Sequence, residues 1–580
     1  MSPLTFKNVR EMPIVSRSAD TMAWNHTGSW RYLRPRYQDK DAPCSAACPA
    51  AEDIPLIELL ASQGRFAEAW QRIREENPLP AVCGRVCFHP CEGGCNRGEY
   101  DDPVAINSLE RHLADQARRQ QLRTEAAPAK SGKRVAVVGA GPAGLSAAWF
   151  LGRLGHRVEL YDAHEEPGGL LRYGIPAYRL PTEVLAWEAG LILEGDVAFH
   201  PGRTLGGNLS WQELAGHDAV FLAVGAWQSN PLGIEGEELA SDGLAFLEAV
   251  REGRAPEVSG KVAVIGGGNT AVDLARTLLR LGAEPTIYYR RRLEDLPALP
   301  DEIKEATEEG IPVRPLLAPH SLEQGKDGLH LYLTPMQTVG EAVPPARPKI
   351  APSGASDEEI AVTAVFTVIG FRNSAGLPEG AAEAVSPYLQ RLRPEGAPDG
   401  PPVFLGGDLV NEERTVVTAI ASGKAAAVAI AATFAGEEPT AKLEVGRVGA
   451  KGAISFNRLA GGDRSAREPH VVGFDELNTI YFRYQGRIQR PGLTIEERRT
   501  TFDEVHMRIS GALAMSEAER CFRCGLCDQC DNCYLFCPDM SVLRPADDEP
   551  RRIDFDYCKG CGVCVVECPR NAMVLEEEPR

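Results

Sequence analysis

The stretch RVAVVGAGPAGLSAAWFLGRLGHRVELYD (134–162) reads as a buried strand, a glycine-rich turn, a helix and a second strand in uninterrupted succession. Within it, Gly139-x-Gly141-x-x-Gly144 follows the strand and opens the helix, with Pro142 and Ala143 inside the turn. The first glycine permits the tight turn. The second lets the backbone approach a pyrophosphate seated on the helix N-terminus, and the third lets helix pack closely on strand. Asp162 ends the second strand about 20 residues on, where an acid can accept from ribose hydroxyls. A lone GxGxxG says little, but in this full frame it specifies a dinucleotide-binding unit.

The unit recurs in KVAVIGGGNTAVDLARTLLRLGAEPTIYYRRR (261–292), with fingerprint Gly266-x-Gly268-x-x-Ala271 and with Asn269 and Thr270 inside it. Its second strand ends not on an acid but on Arg290, Arg291 and Arg292. An acid there would accept from a 2′-hydroxyl and repel a 2′-phosphate, whereas arginines pair with the phosphate. The pattern favours NADP(H) over NAD(H). The bland alternative is that some of these arginines are surface charges, with Glu294 and Asp295 as neighbours. Further strands are predicted in 219–226, 364–371 and 402–408.

The sixteen cysteines are segregated: none lies between Cys95 and Cys521. The last group contains Cys527-x2-Cys530-x2-Cys533-x3-Cys537-Pro538 and Cys558-x2-Cys561-x2-Cys564-x3-Cys568-Pro569. This pattern, present twice, is that of a two-cluster bacterial ferredoxin, in which the fourth cysteine of each run crosses to the other cluster. One [4Fe–4S] cluster is therefore predicted on Cys527, Cys530, Cys533 and Cys568, and another on Cys537, Cys558, Cys561 and Cys564. Cys521 and Cys524 extend the first run upstream and lie outside the pattern. The first group, Cys44-x3-Cys48-Pro49 and then Cys83-x3-Cys87-x3-Cys91-x3-Cys95, reads by spacing as a metal or cluster site, zinc included.

The segment PLPAVCGRVCFHPCEGGCNRGEYDDPVAINSLE, followed by GAGPAG, resembles the small (beta) subunit of bacterial glutamate synthase and its relatives, among them the N-terminal half of dihydropyrimidine dehydrogenase. The resemblance covers about residues 40–440 and implies an N-terminal helical iron–sulfur domain with [4Fe–4S] clusters. It implies one cluster on Cys48, Cys87, Cys91 and Glu110. It matches Cys44 and Cys95 to a further cluster, with Cys83 as a candidate third ligand. The family's Cys-x-x-Cys pair upstream of Cys44 is missing, because RYLRPRYQDKDAP holds no cysteine. The motif GG(L)xxYGIP, with Gly169 and Leu170, resembles the family's FAD site. PVFLGGDLVNEERTVVTAIASGK is similar to its second flavin motif, which implies Gly407, Asp408, Thr415 and Val416 as further FAD contacts. DYCKGCGVCVVECPRNAM is similar to the ferredoxin-like delta subunit of 2-oxoacid:ferredoxin oxidoreductases.

The fold expected is multidomain α/β. A helical iron–sulfur domain spans 1–130, within which 54–78 and 102–120 read as helices. An FAD domain takes 131–250 and 375–438, and an NAD(P) domain 251–374, both Rossmann-like. A connecting segment spans 439–515 and a two-cluster ferredoxin domain of α+β type 516–580. The cofactors expected are FAD, NADP(H) or NAD(H), and three or four [4Fe–4S] clusters.

Composition and absences narrow the function. The formal net charge of −19 argues against nucleic acid or an anionic membrane surface as partner. The longest apolar run, from Ala425 to Gly436, falls short of the ~20 residues of a spanning helix, and MSPLTFKNVREMPIV has no signal pattern. A cytoplasmic protein is expected. A disulfide reductase needs a redox cysteine pair near its flavin, and none is available. No catalytic acid or base is expected either, since the cofactors carry the chemistry. The resemblances imply a diaphorase subunit exchanging electrons between NAD(P)H and iron–sulfur clusters through FAD. Its partner would be a set of 2-oxoacid:acceptor oxidoreductase subunits. The alternatives are a free-standing NADPH:ferredoxin-type reductase and a glutamate synthase small subunit.

Overall fold

The computed structural model describes residues 25–123, 130–326, 328–340, 347–373, 377–394, 400–545 and 549–579. The leading MSPLTFKNVREMPIV segment and most of the 124–133 linker lie outside them. The chain divides into two units. The larger comprises Pro43–Ser465 and Tyr484–Cys521; the smaller gathers the described residues up to Ala42 with Ala466–Arg483 and the chain from Phe522 onward.

In the larger unit, strand Arg134–Val138 lies at the heart of a seven-stranded sheet. It pairs in parallel with Arg157–Tyr161 on one side and Ala219–Leu222 on the other. Val197–His200 closes one edge, while Val403–Gly406 and an antiparallel hairpin extend the other. Val135 to Val138 are all buried, as a parallel strand covered on both faces requires. Helix Pro142–Arg153 packs against helix Val416–Phe434 at its glycines. A Cβ on Gly423 would lie 2.1 Å from the Ala143 carbonyl oxygen. The 19-residue Val416–Phe434 helix is the one among the described residues long and apolar enough to cross a membrane; 89% of that stretch is buried inside the protein.

The second nucleotide unit is a five-stranded parallel sheet in the order Val313–Pro315, Ala283–Tyr289, Gly260–Gly266, Ala364–Val368, Ser241–Asp242. An antiparallel sheet built on Leu317–Gln324 and Leu329–Val339 adjoins it. Its start differs from the boundary expected at residue 251. Asp242 caps helix Gly243–Arg251, accepting from the Leu244 N–H at 2.8 Å, and Phe246 and Leu247 join the core of Val262, Val264 and Leu274. Burial of that apolar face draws 241–251 into the second unit.

The N-terminal cysteines sit among the helices Ile54–Ser62, Phe66–Glu76, Pro80–Val86, Pro90–Gly93 and Ile106–Arg119. The single helix expected over 54–78 is two. Gly64, at φ +72°, takes the left-handed conformation that ends a helix, and the chain turns before Phe66. Nor is 439–515 one connecting segment. Residues 439–465 and 484–515 pack into the larger unit, while 466–483 belong to the smaller. The buried carboxylate of Glu76 accepts from the Phe456 N–H (2.8 Å) and pairs with Lys424 (2.6 Å). Glu504 pairs with Arg85 (2.7 Å) and Arg111 (2.9 Å). These buried polar contacts, invisible to hydrophobic periodicity, hold the segment down.

In the smaller unit, Leu33–Tyr37 forms an antiparallel pair with Met573–Glu577. Arg31 bonds Glu578 and Arg34 bonds Glu576 across it. The described residues up to Ala42 therefore belong with the C-terminal cysteines, not with the helical domain expected over 1–130.

Candidate cofactor-binding site

A cavity of about 510 Å³ opens over the carboxyl ends of the first sheet. Gly139, Gly141, Pro142, Ala143, Asp162, Gly169, Leu170, Gly407, Asp408, Thr415 and Val416 all line it. Gly139 has φ +103°, and a Cβ on it would lie 2.3 Å from the Ala223 carbonyl oxygen. Gly144 lies outside the lining. A Cβ there would fall 1.7 Å from the Gly139 carbonyl oxygen, so its role is the close packing of turn on helix. Above Gly141, by contrast, a Cβ would meet only the Gly169 Cα, at 3.9 Å. The turn is thus tight where the chain folds and open where a ligand would approach.

Asp162 works harder than the spacing suggested. Its carboxylate accepts from the Ala140 N–H (2.6 Å) and the His164 N–H (2.8 Å), tying the glycine turn to the next strand. His164 stacks on Tyr173 with ring centroids 4.2 Å apart and lies 4.9 Å from Trp227. The bond to Asp162 holds its imidazole above its ordinary range, against the opposing effect of burial. On the far wall, Asp408 is pushed up to about 6 by burial, with Arg414 opposing. Thr415 caps helix Val416–Phe434 by accepting from the Thr418 N–H (3.2 Å), so that helix presents its N-terminus to the cavity.

The second fingerprint contributes Asn269 and Thr270 to the same cavity; Gly266, Gly268, Ala271, Arg290 and Arg291 stand outside its lining. Asn269 Oδ1 accepts from the Leu299 N–H at 2.8 Å. Arg179, which spacing did not single out, lines the cavity and pairs with Asp273 of that helix at 2.7 Å. Of the three arginines, Arg292 is engaged by Asp295 (2.9 Å) and Glu294 (3.0 Å). Arg291 donates to the Pro348 carbonyl (2.8 Å), and Arg290 is exposed at the strand end.

Val86 and Phe88, on either side of Cys87, also line the cavity. The N-terminal cysteine site therefore abuts the dinucleotide site directly. There Asn77 Nδ2 donates to Glu52 (2.8 Å) and to Glu110 (3.0 Å). Burial holds both carboxyls above their ordinary range, and Glu110 in turn raises the Cys83 and Cys87 thiols behind the larger effect of their own burial. Cys91 shares this environment with Cys48 and Cys87. Cys83 thus lies with Glu110 and Cys87. Cys95 has different surroundings, its sulfur accepting from the Val104 and Arg97 N–H groups.

In the smaller unit a hollow is lined by Cys537, Cys558, Cys561 and Cys564, with Ser541 N–H 3.3 Å from the Cys537 sulfur. Cys527, Cys530, Cys533 and Cys568 interact electrostatically with one another. The Tyr37 hydroxyl sits 3.1 Å from the Cys533 sulfur, a contact from the N-terminal strand that no cysteine spacing could reveal. None of the sixteen cysteines forms a disulfide. Among the described residues, no three His, Cys, Asp or Glu side chains converge on a single-ion site. An all-thiol donor set around a hollow fits a cluster, whose irons take thiolates.

A family model for pyridine nucleotide-disulphide oxidoreductases matches residues 133–423, half of the chain. The chain belongs to the pyridine nucleotide-disulphide oxidoreductase family. Its member here lacks the redox cysteine pair of that name, since no cysteine lies in the matched residues. Two further models match: dihydropyrimidine dehydrogenase domain II, 4Fe-4S cluster, over residues 36–122, and a 4Fe-4S binding domain over 551–574. The cofactors of these modules are FAD, a nicotinamide nucleotide and several [4Fe–4S] clusters.

Among curated relatives, the NADP(+)-dependent formate dehydrogenase subunit beta of Moorella thermoacetica is 35% identical over 67% of this chain and 59% of its own length. The NADPH-Fe(3+) oxidoreductase subunit beta of Geobacter sulfurreducens is 41% identical over 48% and 43%. The glutamate synthase [NADPH] small chain of Escherichia coli is 35% identical over 66% and 87%. The chain thus spans about half the length of the first two.

Proposed function

We propose that the chain is the diaphorase subunit of a multi-subunit oxidoreductase, exchanging electrons between NADP(H) and its iron–sulfur clusters through FAD. The observation that carries this is the shared cavity. Residues of both nucleotide fingerprints and the two neighbours of Cys87 line one space. FAD, when bound, converts between hydride and single-electron transfer. Gly141, Ala143 and the N-terminus of helix Val416–Phe434 offer backbone N–H groups to its pyrophosphate and ring, Gly139 and Pro142 shape the turn that aims them, and Asp408 offers an acceptor to its hydroxyls. Gly266, Gly268, Asn269, Thr270 and Ala271 seat the nicotinamide nucleotide. Arg290 and Arg291, the arginines not drawn to an acid, face its 2′-phosphate. The names of the three relatives all carry NADP(H), which supports that choice. Arg179, held by Asp273, fixes the two nucleotide units at the point of transfer. Val86 and Phe88 exclude water between this site and the cluster of Cys48, Cys87, Cys91 and Glu110, which is the first acceptor. The C-terminal clusters, on Cys527, Cys530, Cys533 and Cys568 and on Cys537, Cys558, Cys561 and Cys564, relay electrons to or from the partner.

The partner we favour is a 2-oxoacid:acceptor oxidoreductase, on the likeness of the C-terminal tail, in the cytoplasm. Anaerobic affinity purification from native cells, followed by mass spectrometry, tests it. The expected result is recovery of 2-oxoacid oxidoreductase subunits at fixed ratio. A protein recovered by itself that reduces ferredoxin with NADPH contradicts it and supports a free-standing reductase.

A further inference from the structure

Within the larger unit, three cysteines remain outside the groups described above: Cys44, Cys95 and Cys521. They are remote in sequence, yet all three belong to the larger unit. Cys44 lies in helix Pro43–Ala47 and Cys95 follows Gly94. A Cβ on Gly94 would meet the Ala47 Cβ at 2.9 Å and the Pro43 carbonyl oxygen at 3.1 Å, so those two segments touch at their backbones. Residue 520, next to Cys521, is fastened to the loop that follows Cys95. Arg97 Nη1 donates to the Arg520 carbonyl (2.8 Å), and the Arg520 guanidinium donates to the Asp102 carbonyl (2.6 Å) and pairs with Asp101 (3.1 Å). Asp101 also pairs with Arg97, and all three side chains are at most 2% exposed.

A buried Arg–Asp–Arg network costs desolvation and is weak evidence of stability by itself. Here it fixes the chain entering Cys521 against the chain leaving Cys95. Cys44 and Cys521 are buried, and the Cys95 sulfur already accepts two backbone N–H groups. Such bonds are the ones that tune a cluster-bound sulfur.

We infer that Cys44, Cys95 and Cys521 are ligands of a second [4Fe–4S] cluster in the helical domain. The C-terminal chain then supplies what RYLRPRYQDKDAP, upstream of Cys44, lacks. The thiol protons leave as the irons bind. The assignment rests on the iron–sulfur reading of the helical domain and brings the chain to four clusters.

The test is iron and acid-labile sulfide per flavin in the full-length protein, purified anaerobically, for wild type, Cys44→Ala, Cys521→Ala and the double variant. Each single variant is expected to lose the same iron, about four atoms per chain, and the double no more than either, with flavin retained. Wild-type iron in Cys521→Ala, or losses that add in the double, overturns the assignment. If the alanine variants do not fold, Cys521→Ser gives the second reading, because a serine oxygen can still ligate iron. One reduced-cluster electron paramagnetic resonance signal is expected to shift or vanish; a spectrum identical to wild type overturns the assignment. Wild-type protein lacking N-terminal iron altogether would instead sink the iron–sulfur reading on which it rests.

Discussion

Asp408 is the residue whose environment makes the sharpest demand. Burial lifts its folded value from 3.8 to about 6, so ionising it costs the flavin-free protein stability. That stability is fully present below about pH 3.8 and lost as pH rises through about 6. Asp408→Asn removes the cost. Flavin-stripped Asp408→Asn is expected to unfold at higher temperature than wild type at pH 7, by up to about 3 kcal/mol, with the gap closing toward pH 4. A gap that ignores pH would contradict the burial argument. His164 behaves as its complement. Its value is raised by Asp162, so the stabilisation from its charge is present below 6.5 and lost as pH rises through its elevated folded value. Flavin retention on dilution should weaken across that window, and His164→Gln should flatten the dependence. Spacing revealed Asp162, and likeness to a flavin motif pointed to Asp408, because each is fixed by its place in a local stretch of chain. It could not reveal His164, Trp227 or Arg179, whose roles come from rings and charges that meet only in the fold.

At the scale of elements, the site depends on helix Val416–Phe434 lying flat against helix Pro142–Arg153. Gly423→Ala places a Cβ 2.1 Å from the Ala143 carbonyl oxygen, which forces the helices apart. The expected outcome is a loss of about 1–3 kcal/mol in thermal or denaturant unfolding and a drop in bound flavin per chain. Wild-type flavin content in that variant would mean the helices can separate without disturbing the site. Both strand–turn–helix units were legible in the sequence because buried parallel strands and glycine turns leave strong local patterns. The break at Gly64 was less so, since apolar residues continue at helical spacing through Gln63 and Arg65. The packing of 439–515 was hidden for another reason. It is held by the buried Glu76, which accepts from the Phe456 N–H, and by Glu504, which pairs with Arg85, and these partners lie far apart in sequence.

At the scale of the whole molecule, the ends of the chain do not keep to themselves. Strand Leu33–Tyr37 completes the sheet of the C-terminal cysteine unit and brings Tyr37 to Cys533. Pro35 and alternating charges make LRPRY a poor strand by composition, tolerable at a sheet edge, and its partner lies over 500 residues away. Removing residues up to Tyr37 is expected to lower iron in the C-terminal unit while leaving flavin bound, read as the iron-to-flavin ratio against full-length protein. An unchanged ratio would make the strand dispensable. The central claim is that NADPH, flavin and the clusters form one conducting line through the shared cavity. Anaerobic stopped-flow mixing of the holoprotein with NADPH tests it most directly, following the flavin band and the broad iron–sulfur absorbance together. Bleaching of the flavin followed by bleaching of the clusters in the same turnover is expected. Flavin reduction with clusters left oxidised, or no flavin reduction at all, would contradict it.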